Sequence, residues 1–335
     1  MQTILETNDS KYILLKRIGY GGSCLVFKGY SLNDDSHRML AIKIYKEQHK
    51  KYFDKEILIN INLPSKYFLS VINYGTGFIY QENNSSLNII ESNNINNYSE
   101  NLDGKVLYKI EELAENGELF SYIYELNKGF PEKISSKIFS SIIESVKILH
   151  QNNVIHGDIK PENILLGNDF VPKLIDFGFS TKFNKKNNNI IFATEGSDIY
   201  SSPELRKANI NGYDGIKSDI FSLGVLLFVI TVGKFPFYLS CYSDKKYRLI
   251  INKKFEKYWA NFETYNLSNE FKDLINKLVC FDPKERLSIE EILEHPWIKM
   301  NGSNIELNKN NEFCIDKDVI EELERRKHYM EKKTN

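Results

Sequence analysis

Residues 154–166, VIHGDIKPENILL, followed by residues 174–180, LIDFGFS, decide how this 335-residue chain is read. Asp158, Lys160 and Asn163 fall within six residues, and Asp176 follows 18 residues after Asp158, heading a Phe-Gly turn. Two carboxylates, an amide and an ammonium on short loops supply a base, a cation for phosphate and oxygen ligands for a hard dication. Ile155, Ile159, Ile164, Leu165 and Leu166 are interleaved with them. A merely solvated polar loop has no use for such residues, so the stretch reads as a site supported by short apolar strands.

Upstream, RIGYGGSCLVF at 17–27 places Gly19, Gly21 and Gly22 between two strand-like runs, ahead of Val26. A glycine turn lets backbone N–H groups approach an anion closely, although the same composition also serves a plain hairpin. Ala41-Ile42-Lys43 ends the next apolar run, and Glu56 lies 13 residues further on in a helical pattern. That spacing brings a carboxylate within reach of the Lys43 ammonium, unless both are solvated surface charges.

From Tyr12 to about Ile44 the pattern predicts three antiparallel strands; 46–63 reads as a helix, and 71–76 and 106–112 as short strands. Beyond Gly117, amphipathic patterns predict helices at 118–127, 134–152, 218–233, 268–280 and 288–294. Strands first and helices after argue for an α+β chain rather than a doubly wound sheet. Residues 78–105 read as an Asn-rich surface insertion, because so polar a stretch buries little apolar surface. The tail, 299–335, is expected to carry a helix over 316–333 with Ile315, Val319, Ile320, Leu323 and Met330 near one face, packed back on the domain.

Bulk composition excludes several classes. Lys plus Arg number 44 against 45 Asp plus Glu, a net charge of −1 that gives no general attraction to nucleic acid or an acidic membrane. Cys24, Cys241, Cys280 and Cys314 are scattered without zinc spacing, as expected of reduced thiols in a cytoplasmic or nuclear protein. The N-terminal residues lack a signal-peptide pattern, and the apolar run Leu223–Val232 reads as a buried core helix.

The ordered set GYGGSCLV, AIK, Glu56, ENGELF, HGDIKPEN, DFG, GSDIYSSPE, SDIFSLGV, GKFPF and DPKERLSIEEILEHPWI resembles the eukaryotic protein kinase superfamily over 12–298. Lys160 in DIKPEN is similar to the serine/threonine branch; GELF and HPWI are most similar to its calcium/calmodulin-dependent and AMP-activated group. The resemblance implies a bilobal fold, a small antiparallel sheet lobe with one main helix over about 12–113 and a larger, mostly helical lobe over about 114–298. It implies ATP with Mg²⁺, Mn²⁺ serving as well, and protein substrates with Ser or Thr acceptors. Lys43 would hold the α- and β-phosphates and pair with Glu56; Asp158 would be the catalytic base; Lys160 would steady the γ-phosphate. Asn163 and Asp176 would hold the metal ions. Ile18, Gly19, Gly21, Gly22, Val26, Ala41, Glu112, Ala114, Glu118 and Leu165 would surround the nucleotide. Glu204 would pair with Arg286 as a buried support, with Asp219 a further structural residue. Glu118 and Glu162 would favour a basic residue upstream of the acceptor. A monomer that binds neither nucleic acid nor membrane is expected.

Several positions depart from the family pattern. Gly157 stands where most members carry Arg, the residue that grips an activation-segment phosphate, so activity should depend little on phosphorylation of Thr181, Thr194 or Ser197. The HGD triplet is also similar to small-molecule phosphotransferases of the aminoglycoside and choline type, and a pseudokinase scaffold is a third reading. Asn60 is polar where the family is apolar, Glu111 or Ile110 precedes the hinge, and Cys24 adds a thiol to the glycine turn.

Overall fold

The structure, a computed structural model, describes residues 2–20, 23–82, 104–206, 211–301 and 315–334. The chain divides into two compact units, Met1–Ala114 and Glu115–Asn335.

The first unit contains β1 (Gln2–Glu6), β2 (Lys11–Tyr20), β3 (Cys24–Ser31), β4 (Leu40–Tyr45), α1 (Lys50–Asn60), β5 (Val71–Glu82) and β6 (Gly104–Glu112). The strands pair antiparallel in the order β1-β2-β3-β4-β6-β5, and β5 closes on β1. Alternating side chains from every strand fill the interior, including Leu14, Phe27, Ile42, Ile44, Ile79, Tyr108 and Ile110. On the opposite face of β4 and β6, Tyr45 and Leu107 pack against Phe53 and Ile57 of α1.

Two expectations for this unit need correction. The strand set does not begin at Tyr12: Thr3–Leu5 pair with both β2 and β5, which removes two open sheet edges at once. Nor is 78–105 wholly an insertion, because Phe78–Glu82 and Gly104–Lys105 belong to β5 and β6. Ile79 turns into the barrel while Phe78 and Tyr80 pair across to β1. The Asn-rich remainder, 83–103, lies outside the described residues.

The second unit contains α2 (Leu119–Tyr124), α3 (Glu132–Gln151), the short strands β7 (Val154–Ile155), β8 (Ile164–Leu166), β9 (Pro172–Leu174), β10 (Thr181–Lys182), β11 (Ile190–Ile191) and β12 (Tyr213–Asp214), and further helices. These are α4 (Pro203–Arg206), α5 (Gly215–Val232), α6 (Lys245–Ile251), α7 (Phe255–Trp259), α8 (Asn269–Leu278), α9 (Ile289–Leu293), α10 (Pro296–Met300) and α11 (Lys317–Thr334). Helix α5 is almost wholly buried and, beyond its first two turns, apolar on nearly every face, which makes it the axis of this unit. Asp214 caps its start by accepting from Lys217 N–H, and Gly233, at φ +73°, ends it in the left-handed conformation. The Glu132 carboxylate of α3 accepts from Ser268 N–H and Oγ–H before α8 and from Trp297 Nε1–H of α10, tying three helices together.

Helix α11 docks on the same unit. Val319 and Leu323 are fully buried and Lys137 of α3 pairs with Asp316 and Asp318. The apolar stripe also contains a charge that the sequence reading omitted. Arg326 is 1% exposed, donates to the carbonyls of Tyr122, Lys128 and Gly129, pairs with Glu322, and lies 3.6 Å over the Phe130 ring.

Candidate active site

In the first unit the register of β4 against β6 sets Lys43 directly opposite Lys109 and Ala41 opposite Glu111. Side chains alternate along a strand, so Ile110 points into the barrel and Glu111 shares the α1 face with Lys43. Glu111, not Ile110, is therefore the residue beside the lysine. Lys43 Nζ lies 2.5 Å from Glu56 Oε1 and 3.6 Å from Glu111 Oε2. Lys109 Nζ lies 2.8 Å from the same Glu56 oxygen and 2.5 Å from Glu111 Oε1. Tyr45 Oη–H donates to Glu56 Oε2, and Asn60 Nδ2 donates to Glu111 Oε1. Burial would push the Glu56 carboxyl up, but the ammoniums of Lys109 and Lys43 outweigh it and hold the group far below the usual carboxylate range.

The sequence reading anticipated the Lys43–Glu56 pair and missed Lys109 and Tyr45. Their signal is the shared face: Leu107, Lys109 and Glu111 alternate on β6 as Ala41, Lys43 and Tyr45 do on β4.

Of the expected nucleotide residues in this unit, Val26 pairs with Lys43 across β3 and β4, and Gly19 pairs with Val26. Ala41 is buried, Ile18 is exposed, and Glu112 accepts from Ser70 N–H. Gly21 and Gly22 lie outside the described residues. Cys24 packs against the Tyr45, Phe53, Ile57 and Leu107 cluster, which accounts for a small apolar residue there.

In the second unit, Asp158, Lys160, Asn163 and Ser197 form one hydrogen-bonded group. Lys160 Nζ reaches Asp158 Oδ2 at 2.7 Å and Ser197 Oγ at 2.7 Å; Ser197 N–H donates to Asp158 Oδ1 at 3.0 Å. Asn163 Nδ2 donates to both the carbonyl and Oδ2 of Asp158. Burial would raise the Asp158 carboxyl, but the hydrogen bonds from Lys160 and Ser197 prevail and hold it below its ordinary value. Asp158 is thus an ionised acceptor at neutral pH.

The loop carrying these groups hangs from Asp219 of α5. Its Oδ2 accepts from His156 N–H at 2.9 Å, with His150 Nε2 also at 2.9 Å, and its Oδ1 accepts from Gly157 N–H at 3.0 Å. Gly157 sits at φ +80°, and a Cβ there would come 3.0 Å from the Phe179 carbonyl oxygen. Glycine at this position relieves backbone strain that any other residue would carry.

Asn163 and Asp176 flank the same end of the β8–β9 hairpin: Ile164 pairs with Leu174, and Ile175 N–H donates to the Asn163 carbonyl. With Nδ2 committed to Asp158, Asn163 keeps Oδ1 as a free lone-pair donor, and the Asp176 carboxylate is exposed at φ +65°. An amide oxygen and a carboxylate fit a hard dication such as Mg²⁺. Phe177 is buried edge-on to the His156 ring, their centroids 5.7 Å apart.

Glu204 and Arg286 meet in a fork, Nη1 to Oε1 at 2.5 Å and Nη2 to Oε2 at 2.8 Å. Arg286 also donates to the carbonyls of Lys217 and Cys280 and lies over Phe221. Glu118 forms an isolated bridge with Leu165. Desolvation pushes the Glu118 carboxyl up, with the Glu162 charge adding to it; at Glu162 desolvation does the same, and its buried Oε2 has no hydrogen-bond donor.

The protein kinase domain model matches residues 12–298, and the chain belongs to the protein kinase family. Its relatives place it on the serine/threonine branch. It is 34% identical over 226 residues to the SNF-related serine/threonine-protein kinase of Homo sapiens, covering 67% of this chain and 28% of that protein. It is 36% identical over 198 residues to serine/threonine-protein kinase kin-29 of Caenorhabditis briggsae, 59% of this chain and 23% of the relative. With serine/threonine-protein kinase PLK4 of Drosophila virilis it shares 28% over 311 residues, 92% of this chain and 36% of the relative. These alignments span well under half of each relative's length.

Proposed function

We propose that this chain transfers the γ-phosphoryl group of Mg-ATP to Ser or Thr hydroxyls of proteins. The observation that carries the reading is the group formed by Asp158, Lys160, Asn163 and Ser197: an ionised carboxylate, oriented by three donors, with an ammonium bonded to it. Asp158 accepts the proton of the attacking hydroxyl, Lys160 steadies the transferred group, and Lys43 draws the α- and β-phosphates. Asn163 Oδ1 and the Asp176 carboxylate would hold magnesium or manganese, which would supply neutralisation of phosphate charge. Lys43, Asp158, Asn163 and Asp176 are all present, which favours an enzyme over a scaffold. The Glu204–Arg286 fork beneath a long segment after Asp176 favours a protein acceptor over a small molecule, and the HGD triplet finds its reason in the left-handed backbone at Gly157.

Glu118 and Glu162 favour a basic residue upstream of the acceptor: Glu162 keeps a buried oxygen without a donor, and the nearby, more exposed Glu118 adds a second carboxyl that gains from the same cation. The absence of an arginine at position 157 supports activity without activation-segment phosphate. Labelled ATP with Mg²⁺ and a basic Ser-containing peptide tests the whole reading. Asp158→Asn should lower incorporation by about 10²–10⁴-fold, the worth of a general base, whereas equal incorporation removes the enzyme. Phosphatase treatment or Thr194→Ala should leave activity in place; its abolition overturns the phosphorylation-independent reading.

A further inference from the structure

Lys109 has no role in the reading above, yet it is 1% exposed and is among the largest wholly buried side chains of the first unit. The strand register forces it against Lys43. Two like charges directly opposite on one face of a sheet repel, so the arrangement needs counter-charge. Glu56 and Glu111 supply it, giving two ammoniums and two carboxylates with no net charge.

The two lysines are not equivalent. Both ammoniums bond Glu56 Oε1, but the Lys109 side chain is 1% exposed and braced by Glu111 at 2.5 Å, whereas that of Lys43 is 11% exposed and only 3.6 Å from Glu111. Lys43 is the cation with room to turn toward a polyphosphate. When it does, Glu56 keeps Lys109 on one oxygen and Tyr45 Oη–H on the other. A second tie lies one helical turn along α1, where Asn60 donates to Glu111. Helix α1 is therefore fastened to β6 at Glu56 and Asn60, on one face, through groups that never leave the interior. Asn60 Oδ1 and Glu111 Oε2 are buried without a hydrogen-bond donor, Lys43 Nζ standing 3.6 Å from the latter, so among the described residues no further donor is at hand to replace Lys109.

We propose that Lys109, braced by Glu111, is a positioning residue: a second anchor for Glu56 that holds α1 in place independently of Lys43, leaving Lys43 to serve the nucleotide. The proposal rests on the kinase reading for what Lys43 does, but the anchoring itself is a property of the first unit. Where a lone lysine would have to hold both Glu56 and phosphate, here the two tasks fall to two residues.

Amide hydrogen exchange along α1, measured on the full chain without nucleotide, separates the cases. Lys43→Met should leave protection of 50–60 nearly as in the native chain, because Lys109 and Asn60 still hold the helix. In the charge-balanced Lys109→Met/Glu111→Leu background, the same Lys43→Met change should lower that protection by at least about tenfold, or about 1.4 kcal/mol. A merely structural Lys109–Glu111 pair predicts the same loss from Lys43→Met in both backgrounds, and that result overturns the proposal. Should the double variant fail to fold, Lys43→Met in the native chain decides alone: tenfold loss of protection there refutes a second anchor. The measurement needs no turnover, so a failed incorporation assay with the native enzyme would count against the kinase reading and leave this one standing.

Discussion

Replacing Arg326 by Met tests how α11 is held. The substitution keeps an unbranched stem over Phe130 and removes every donor. The carbonyls of Tyr122, Lys128 and Gly129, now at 2.9, 2.8 and 2.6 Å from the guanidinium, lose their partners together, and Glu322 loses a buried counter-charge at 2.8 Å. Each orphaned buried acceptor costs about 1–3 kcal/mol, and water entering the vacated space relieves part of the sum. The expected net loss is about 3–5 kcal/mol, the range found when one member of a buried ion pair is removed. For a unit of this size that lowers Tm by about 6–20 °C. The neighbouring Arg325 provides the control: it also pairs with Glu322, but its side chain is 64% exposed. Arg325→Met should stay within about 0.5 kcal/mol of the native chain. Thermal and urea unfolding of both variants, monitored by far-UV circular dichroism, make the comparison. If Arg326→Met melts no lower than Arg325→Met, the three-carbonyl anchor is wrong and α11 is held by its other contacts, Val319, Leu323 and the Lys137 ion pairs among them.

Further outcomes follow from other contacts. Glu204→Gln should cost about 3 kcal/mol in urea unfolding at unchanged m, because Arg286 stays buried with its carbonyl partners but without its counter-charge; a loss below about 1 kcal/mol contradicts this. Glu162→Gln should weaken binding of a peptide with an upstream Arg roughly fivefold, about 1 kcal/mol for a half-exposed ion pair. In the native chain that preference should be present near pH 7 and fade as pH falls, beginning above the ordinary glutamate value of about 4.3, because desolvation raises both carboxyls; a preference constant through that range rejects their role. For stability the sign is opposite: a raised carboxyl pKa disfavours the folded state as pH rises, so Glu162→Gln should not destabilise the chain. Gly157→Ala should lose about 1–2 kcal/mol to the left-handed backbone, with Gly157→Asn losing less; thermal melts that rank Ala with Gly refute the strain argument.

What could be read from the sequence was the chemistry that lies close together along the chain. Asp158, Lys160 and Asn163 occupy one loop, so their hydrogen-bonded group is local and its residue types announce it. Glu204 and Arg286, 82 residues apart, were paired only through resemblance to a family. Glu111 stood out as a charge just before the hinge, but its pairing with Lys109 was missed for a physical reason. Alternating charges in KVLYKIEE ordinarily mark a solvated strand face, and the carboxylate that makes Lys109 tolerable in the interior, Glu56, lies 53 residues earlier. Likewise, RRK in α11 offers two arginines and no label for the buried one. Only the helical phase distinguishes them: Arg326 is three residues after Leu323 and seven after Val319, on the buried stripe, while Arg325 falls off it. The first strand was missed because five residues near the N-terminus carry too short an alternation, and their stability comes from pairing on both sides.

The departures at Gly157 and Glu111 bear on the same question from different units. In the second unit, the backbone around Asp158 is fixed by Asp219, which holds the N–H groups of His156 and Gly157 from within α5. Glycine accepts the left-handed turn without strain, so the loop needs no outside ligand to stay in place. In the first unit, Glu56 is held by three donors on two oxygens, two of them from residues that are wholly buried. Each half of the expected catalytic set is thus organised by contacts internal to its own unit. A phosphate added to the activation segment would find no arginine at position 157 to grip, which is the physical ground on which we propose activity independent of that modification.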